Sequence, residues 1–248
     1  MNHAGSNRHI NIVHGRYWTG IGPPSTIRAK KPYRMVAMHY DATSNKHGLR
    51  YDPFKAIVAP RPIGWITTIN AAGQVNCSPY SFFNAVSDAP NMVAFSSRGM
   101  KDSATFAEET GEFTCSFATF ELREQMYQTS MMLPRGENEM VYAKLEAAPS
   151  NFVRPPRVKA APAALECRWL STTPLSSSTG ITEYYLVVGE VVGVYIDDRF
   201  IQNGLVNTAA MRPILRAGYD HYFSVGSDQL FRIKRPMDNP LAPILTQP

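Results

Sequence analysis

Residues 184–195 are almost all β-forming, with Gly189 and Gly193 among them. Glycine within a strand is typical of a point at which a strongly curved barrel strand bends. The run lies in a predicted strand over residues 182–196, which follows another predicted strand over residues 164–173. Two long strands, the second with such bends, favour a barrel-like β-sheet.

Shorter strands precede this pair, and helices are few. The predicted strands cover residues 63–69, 74–80, 92–96 and 113–117, with a turn at 70–73 and a last short strand over 219–225. One helix is predicted to start at Asp102 as its N-cap, to turn Phe106 inward and to stop at Gly111. A second helix is predicted over 121–128 and a helical turn over 197–203, whereas prolines break up residues 133–162. Strands and helices do not alternate, so we predict a mainly β fold with helices, a Greek-key-like barrel, and not a doubly wound parallel sheet.

The chain is expected to divide into three regions. We predict a disordered or weakly ordered basic extension over residues 1–40, a folded domain over 41–230 and a C-terminal tail over 231–248. Met35 and Met38 are each candidates for the translation start, which leaves open whether residues 1–37 belong to the natural protein. The 248 residues contain no run of about 18 apolar residues, so we expect no membrane span.

The positive charge of the chain is concentrated at its start. The formal charge is +5, from 25 Lys and Arg against 20 Asp and Glu. Residues 1–40 hold six of the basic residues and no acidic one, which leaves residues 41–248 at −1. A folded part so close to neutral argues against nucleic-acid binding.

Few residues are suited to catalysis by side chains alone. The chain has no GxSxG, HExxH or Walker A motif and no usable GxGxxG motif. Beyond residue 40, only His47 and His221 remain, too few for a three-histidine metal site, so we predict no metal. A pairing of His221 with Cys77 or Cys115 stays open, but an organic cofactor that carries the chemistry needs no such group. With Cys167, these cysteines form no CxxC pair, which is typical of buried thiols in a reduced, cytoplasmic protein.

The loop between a predicted strand and the first helix is suited to an anion. Its polar residues are Ser96, Ser97, Arg98, Lys101, Asp102 and Ser103. The serines offer hydroxyl donors, Arg98 offers a planar guanidinium that can make two hydrogen bonds, and Lys101 offers a compact positive charge. The backbone N–H groups at the start of a helix also lack partners within the helix. We predict a phosphate site here. The alternative is an ordinary solvated connection capped by Asp102.

A second candidate segment covers residues 78–84, with the sequence SPYSFFN. This segment could bind a flat heteroaromatic ring. The rim of that ring would form hydrogen bonds with the hydroxyls of Ser78 and Ser81 and the amide of Asn84, and its faces would be covered by the aromatic rings beside Pro79. The alternative is a barrel strand with aromatic residues in the core.

These two segments, with others, resemble the flavin reductase-like family, whose fold is the FMN-binding split β-barrel. The resemblance covers residues 51–225 and rests on APRPIGWITT at 59–68, GQVN at 73–76, SPYSFFN at 78–84, KDS at 101–103, ETGEF at 109–113, PPRV at 155–158, ALEC at 164–167, GEVV at 189–192 and RAGYDHY at 216–222. The family usually has Gly-Gly where this chain has Ala217-Gly218, and Lys-Asp-Thr in place of residues 101–103.

The resemblance implies an FMN-binding oxidoreductase, often a homodimer, in which NADH or NADPH passes a hydride to flavin. A monooxygenase component is an implied partner. The implied cofactor contacts are Thr67 and Thr68 beside the flavin; Ser78, Pro79, Ser81 and Asn84 at its ring or ribityl chain; Ser96, Ser97, Arg98, Lys101, Asp102 and Ser103 at the phosphate; and Arg216, Tyr222 and His221 near the exposed side of the ring. The alternatives are a non-catalytic flavin- or haem-binding barrel and a barrel used only for protein assembly.

Overall fold

The structure, a computed structural model, describes residues 37–233. The chain divides into two compact units, Met1–His47 and Gly48–Pro248. The described part of the first unit, residues 37–47, contains turns but neither helix nor strand. Most of the predicted N-terminal extension, and the tail beyond residue 233, lie outside the described residues. No helix within residues 37–233 is long and apolar enough to cross a membrane.

The described part of the second unit is built mainly from strands. The strands are β1 Gly64–Ile69, β2 Val75–Tyr80, β3 Phe83–Asp88, β4 Asn91–Arg98, β5 Glu112–Phe117, β6 Ala147–Ala148, β7 Arg157–Val158, β8 Ala163–Ser176, β9 Thr182–Ile196, β10 Ile201–Gln202, β11 Leu205–Val206, β12 Ile214–Arg216 and β13 Tyr222–Ser224. The α-helices are α1 Phe54–Ile57, α2 Asp102–Thr110, α3 Arg123–Gln128 and α4 Glu139–Tyr142, and 3₁₀ turns occur at Asp198–Phe200 and Ser227–Gln229.

Seven strands form one antiparallel sheet in the order β2-β1-β5-β8-β9-β4-β3. Its two edge strands, β2 and β3, are consecutive in the chain and are joined only by Ser81 and Phe82. A connection of two residues cannot span a flat seven-stranded sheet, because adjacent strands lie about 4.8 Å apart. The sheet must therefore curl until its edges meet, and because β2 and β3 do not pair, the barrel stays split.

The long strands confirm the curvature predicted from the glycines. β9 occupies the predicted residues 182–196, and its pairing with β8 shifts register three times. A Cβ atom on Gly189 would overlap the ring of Phe113, which packs across the barrel interior. Glycine is thus required where the strand bends around this ring. The predictions missed β3 and also α1, β12, α4 and the two-residue strands; all of these except the six-residue β3 are too short to give a clear pattern.

Hydrophobic residues form two clusters on opposite faces of β1. Inside the barrel, Ile66 packs with Phe95 and Phe113. On the outer face, Trp65 packs with residues of α3 and α4, and its Nε1 donates to Thr129 Oγ1 at 2.9 Å. Alternate residues of a strand point to opposite faces, so β1 buries both of its faces and fixes the sheet between two apolar layers. Cys77, Cys115 and Cys167 are all buried free thiols.

Helix α2 ends as predicted but starts differently. Gly111 adopts a left-handed conformation with φ 74° and ends the helix, and Phe106 is buried. The prediction of Asp102 as the N-cap is wrong: Asp102 is the first helical residue, and Lys101 occupies the N-cap position without a capping side-chain hydrogen bond. The Asp102 carboxylate instead pairs with Arg135, with 3.0 Å between Oδ1 and Nε.

Candidate functional site

A pocket of about 210 Å³, which we call the helix-start pocket, opens beside the start of α2. Four predicted site residues line it: Ser78, Lys101, Asp102 and Ser103. The other lining residues are Asn76, Tyr80, Ser130, Met131, Met132, Leu133, Arg135 and Glu139. Strand β2 contributes Asn76, Ser78 and Tyr80 because alternate residues of a strand share a face.

The start of α2 provides free hydrogen-bond donors to this pocket. The first N–H groups of an α-helix have no partner within the helix, and here no side chain caps them. The partial positive charge of a helix N-terminus favours an anion at the same point. The helix-start pocket therefore combines backbone donors with a favourable electrostatic field.

Two cations and two carboxylates line the pocket. Arg135 is ion-paired to Asp102, so Lys101 is the cation whose charge no described salt bridge neutralises. Glu139 is the second carboxylate, and it is buried. A small anion would meet Lys101, the outer nitrogens of Arg135 and the helix start together.

A chain of buried hydrogen bonds links the helix start to Glu139. Ser103 Oγ donates to Asn76 Oδ1 at 2.6 Å, and Asn76 Nδ2 donates to Glu139 Oε1 at 2.8 Å. The backbone N–H of Cys77 donates to Glu139 Oε2 at 2.9 Å. Burial raises the pKa of Glu139, and the hydrogen bonds from Cys77 and Asn76 oppose this shift only in part.

A second and larger pocket, which we call the basic cleft, has a volume of about 780 Å³. It brings together the predicted residues Ser81, Arg216 and His221. The other lining residues are Leu49, Arg50, Tyr51, Asp52, Lys55, Arg61, Tyr219 and Asp220. Four arginine or lysine side chains against two aspartates give this cleft a formal positive charge, which suits an anionic ligand.

Arg61 is the most deeply buried charge of the basic cleft, with an exposed fraction of 7%. Its guanidinium donates to the carbonyls of Lys55 at 2.7 Å and Ala217 at 3.1 Å, and also to that of Val58. Its Nε is buried and has no hydrogen-bond partner among the described residues. Burial lowers the pKa of Arg61, and the neighbouring charge of Arg216 lowers it further.

Arg216 is held over an aromatic ring at the rim of the cleft. Its guanidinium carbon lies 4.5 Å from the ring centroid of Tyr222, and it also donates to the Tyr222 hydroxyl and to the carbonyl of Tyr219. The Asp220 carboxylate is 3.8 Å away and fully exposed. Tyr222 itself lines neither pocket, but a separate apolar groove beside α3.

The remaining predicted site residues lie outside both pockets. Thr67, Thr68 and Ser97 are fully buried; Thr67 Oγ1 donates to Cys77 Sγ at 3.5 Å, and Ser97 Oγ to the Gly99 carbonyl at 2.8 Å. Arg98 is exposed and pairs with Glu183 at 3.0 Å. Pro79 and Ser96 are half-buried strand residues, and Asn84 is exposed, with its Oδ1 accepting from Ala85 N.

The sequence did not single out Asn76, Arg135 or Glu139 as site residues. Arg135 and Glu139 lie in the proline-containing stretch interpreted as loop. One local signal was present: Asn138 Oδ1 accepts from Met140 N at 2.9 Å and caps α4, which places Glu139 in the first helical turn. That short helix carries Glu139 back against β2.

A seven-stranded antiparallel barrel that remains open between its edge strands, with a donor-rich helix start beside it, defines the split-barrel class of flavin-linked proteins. The chain belongs to the flavin reductase-like family, because the family model described as "Flavin reductase like domain" matches residues 58–213.

Similar proteins extend this result over most of the chain. An uncharacterized protein of Deinococcus radiodurans is 35% identical over 197 residues, which are 74% of this chain and 84% of the relative. Nitrilotriacetate monooxygenase component B from Bacillus cereus has 25% identity and a TM-score of 0.73, over 80% of this chain and 99% of that one. The 2-nitroreductase NbaA of Pseudomonas fluorescens has 23% identity and a TM-score of 0.71, over 82% and 98% of the two chains, and shows the fold alone.

Proposed function

We propose that this protein binds FMN and transfers a hydride to it from NADH or NADPH. The observation that carries the proposal is the uncapped start of α2 in a pocket that also holds Lys101 and Arg135. FMN ends in a phosphate monoester of charge about −1.5 to −2 at neutral pH, which such a pocket suits. Its flat, largely apolar ring suits the face of an open barrel.

The residues present fit the phosphate end of FMN. Lys101 and Arg135 supply charge, Ser78 and Ser103 supply hydroxyls, and the N–H groups at the start of α2 complete the donor set. In this role they bind and orient the cofactor. Asp102 keeps the Arg135 guanidinium at the pocket through their ion pair.

A buried hydroxyl supports a polar ligand group at the barrel. Thr68 Oγ1 is fully buried and has no hydrogen-bond partner among the described residues. Burying a hydroxyl without a partner costs free energy, which a ligand acceptor or donor would recover. We therefore retain Thr68 as a residue that faces the flavin, whereas the Thr67 side chain points to the opposite face of β1 and donates to Cys77.

The basic cleft is our candidate for the electron donor. NADH and NADPH carry a pyrophosphate, and Arg50, Lys55 and Arg216 line the cleft as cations. Arg61 holds the walls of the cleft together, because its hydrogen bonds to three backbone carbonyls join α1 to the segment after β12. When bound, FMN supplies the chemistry itself by accepting a hydride and passing the electrons on.

The same proposal includes a homodimer in the cytoplasm that supplies reduced flavin to a partner monooxygenase. The Bacillus cereus relative, described as a monooxygenase component, supports such a partner. Three buried free thiols support a reducing compartment.

The proposal is tested with the purified protein and added FMN. We expect a flavin absorption spectrum after removal of unbound FMN, and oxidation of NADH or NADPH that requires FMN. Lys101→Ala should lose FMN retention, whereas Lys159→Ala, on an exposed ion pair outside both pockets, should behave as wild type. A colourless protein without turnover on either donor would refute the proposal, and a Soret band would indicate haem instead.

A further inference from the structure

The hydroxyl of Ser103 has a single proton, and a buried partner already uses it. Ser103 Oγ donates this proton to Asn76 Oδ1, and the amide of Asn76 in turn donates to Glu139. All three side chains are buried. The direction of donation therefore runs from the start of α2 towards the Glu139 carboxylate.

A bound phosphate changes what this chain must do. Phosphate oxygens accept hydrogen bonds, so Ser103 can hold the anion only by turning its proton away from Asn76. Asn76 Oδ1 would then be buried without a donor, which is unfavourable. If the amide turns over, Nδ2 donates to Ser103 Oγ and Oδ1 faces Glu139. An ionised carboxylate cannot donate to Oδ1, whereas a carboxylic acid can.

From this geometry we infer that Glu139 is a positioning residue that takes up one proton when the FMN phosphate binds at the start of α2. The proton comes from solvent and resides on Oε1 of Glu139, which then donates to Asn76 Oδ1. Oε2 keeps its hydrogen bond from the backbone of Cys77. This inference rests on the proposed function, since it concerns the same phosphate site.

The charged and titratable neighbours of Glu139 agree with a single titrating group. Strand β2 brings Cys77 and Tyr80, α2 brings Lys101 and Asp102, and the preceding loop brings Arg135. Burial raises the pKa of Cys77 to about 12 and also raises that of Tyr80, so both stay protonated at neutral pH.

The charge of the pocket points the same way. Its two cations and two carboxylates balance while Glu139 is ionised, and protonation of Glu139 leaves one net positive charge for the anion.

The expected pH dependence follows from linkage. The complex holds one proton more than the free protein, so affinity falls as pH rises from the pKa of Glu139 in the free protein to its higher pKa in the complex, by up to about tenfold per pH unit. The phosphate of FMN has a pKa of about 6 and acts in the opposite sense, because its dianion binds better. A comparison of variants with the same ligand removes this contribution.

The experiment is a calorimetric titration of the protein with FMN in two buffers of different ionisation enthalpy, repeated at several pH values from about 5.5 to 8. Glu139→Gln carries a permanent hydrogen-bond donor. We expect it to bind up to one proton fewer per FMN than wild type, and its affinity for FMN should not show the fall with rising pH that Glu139 causes in wild type. Ser103→Ala should bind FMN more weakly and also lack this uptake. Glu146→Gln, at an exposed ion pair outside both pockets, is the matched control and should keep the wild-type uptake.

The outcomes separate the two proposals. FMN binding with equal proton uptake in wild type and Glu139→Gln would overturn the role of Glu139 and leave the FMN site standing. If Glu139→Gln does not fold, undiminished uptake in Ser103→Ala overturns the inference by itself. No binding of FMN at any pH would overturn both.

Discussion

Thr68 and Asn76 lie directly opposite each other on β1 and β2, but only Asn76 has hydrogen-bond partners for its side chain. Residues paired in this way share a face of the sheet. Within the described part of the chain, the Thr68 hydroxyl is one of the few buried polar groups left unpaired.

Thr68→Val should raise the free energy of unfolding of the FMN-free protein by about 1 kcal/mol, because it removes a buried unpaired hydroxyl at nearly constant volume. The same variant should bind FMN more weakly if the cofactor uses this hydroxyl. Thr67→Val is the matched control: it loses a hydrogen bond to Cys77 and should be less stable than wild type. Urea denaturation checks the stabilities, and lower stability of Thr68→Val would contradict the prediction.

Lys101→Ala and Arg135→Ala should each weaken FMN binding by about 1–3 kcal/mol, since each removes a charge-assisted contact. Their effects should depend on salt, because both side chains are largely exposed to solvent at the pocket rim. Fluorescence titration of FMN measures the affinities. Wild-type affinity in both variants would show that the phosphate lies elsewhere.

Asp102→Ala should cost less than about 1 kcal/mol of stability, because its carboxylate makes an ion pair at the surface and does not cap α2. An N-cap residue would instead lose a capping hydrogen bond, with a typical cost of about 1 kcal/mol or more. Chemical denaturation decides the matter, and a loss of about 2 kcal/mol would restore the capping role predicted from the sequence.

Gly189→Ala should destabilise the protein by about 1–3 kcal/mol, because the new methyl group overlaps the ring of Phe113. Phe113→Leu alone should also be destabilising, but the double variant should lose less than the sum of the two single losses. A double-mutant cycle in urea measures this coupling. Strict additivity would mean that the ring and the strand bend are independent.

Glu139→Gln should become more stable relative to wild type as pH rises. Burial raises the pKa of Glu139 in the folded protein, so protonation of this residue stabilises the fold. The stabilisation is complete below the pKa of Glu139 in the unfolded chain and is lost as pH rises through its pKa in the folded protein. Glutamine is neutral throughout and should not show this loss. Denaturation at about pH 5 and pH 8 tests the trend, and a constant difference would contradict it.

Much of the fold could be predicted because its signals are local. The bounds of β9 match the predicted residues 182–196, and Gly111 ends α2 as predicted. The strand order and the structural comparisons confirm the split barrel. Asp102 was wrongly predicted as the N-cap because α2 begins one residue earlier than expected, and its carboxylate pairs with Arg135, a residue distant in the sequence.

The pockets were predictable where their residues are neighbours in sequence. Lys101, Asp102 and Ser103 meet at one pocket because a helix begins among them. Arg98 diverges, since β4 places it beside the strand that carries Glu183. Glu139 reaches the same pocket through the packing of α4 on β2, a contact over 60 residues that no local pattern encodes.

The link between the barrel edges also sets the spacing of the two pockets. Ser78 lines the helix-start pocket and Ser81 lines the basic cleft, only three residues further along. An extended chain advances about 3.3 Å per residue, so the two serines are separated by roughly 10 Å of backbone. A cofactor held in the helix-start pocket is thus within reach of a donor in the basic cleft, and a single residue inserted between the two serines would move the pockets about 3 Å further apart.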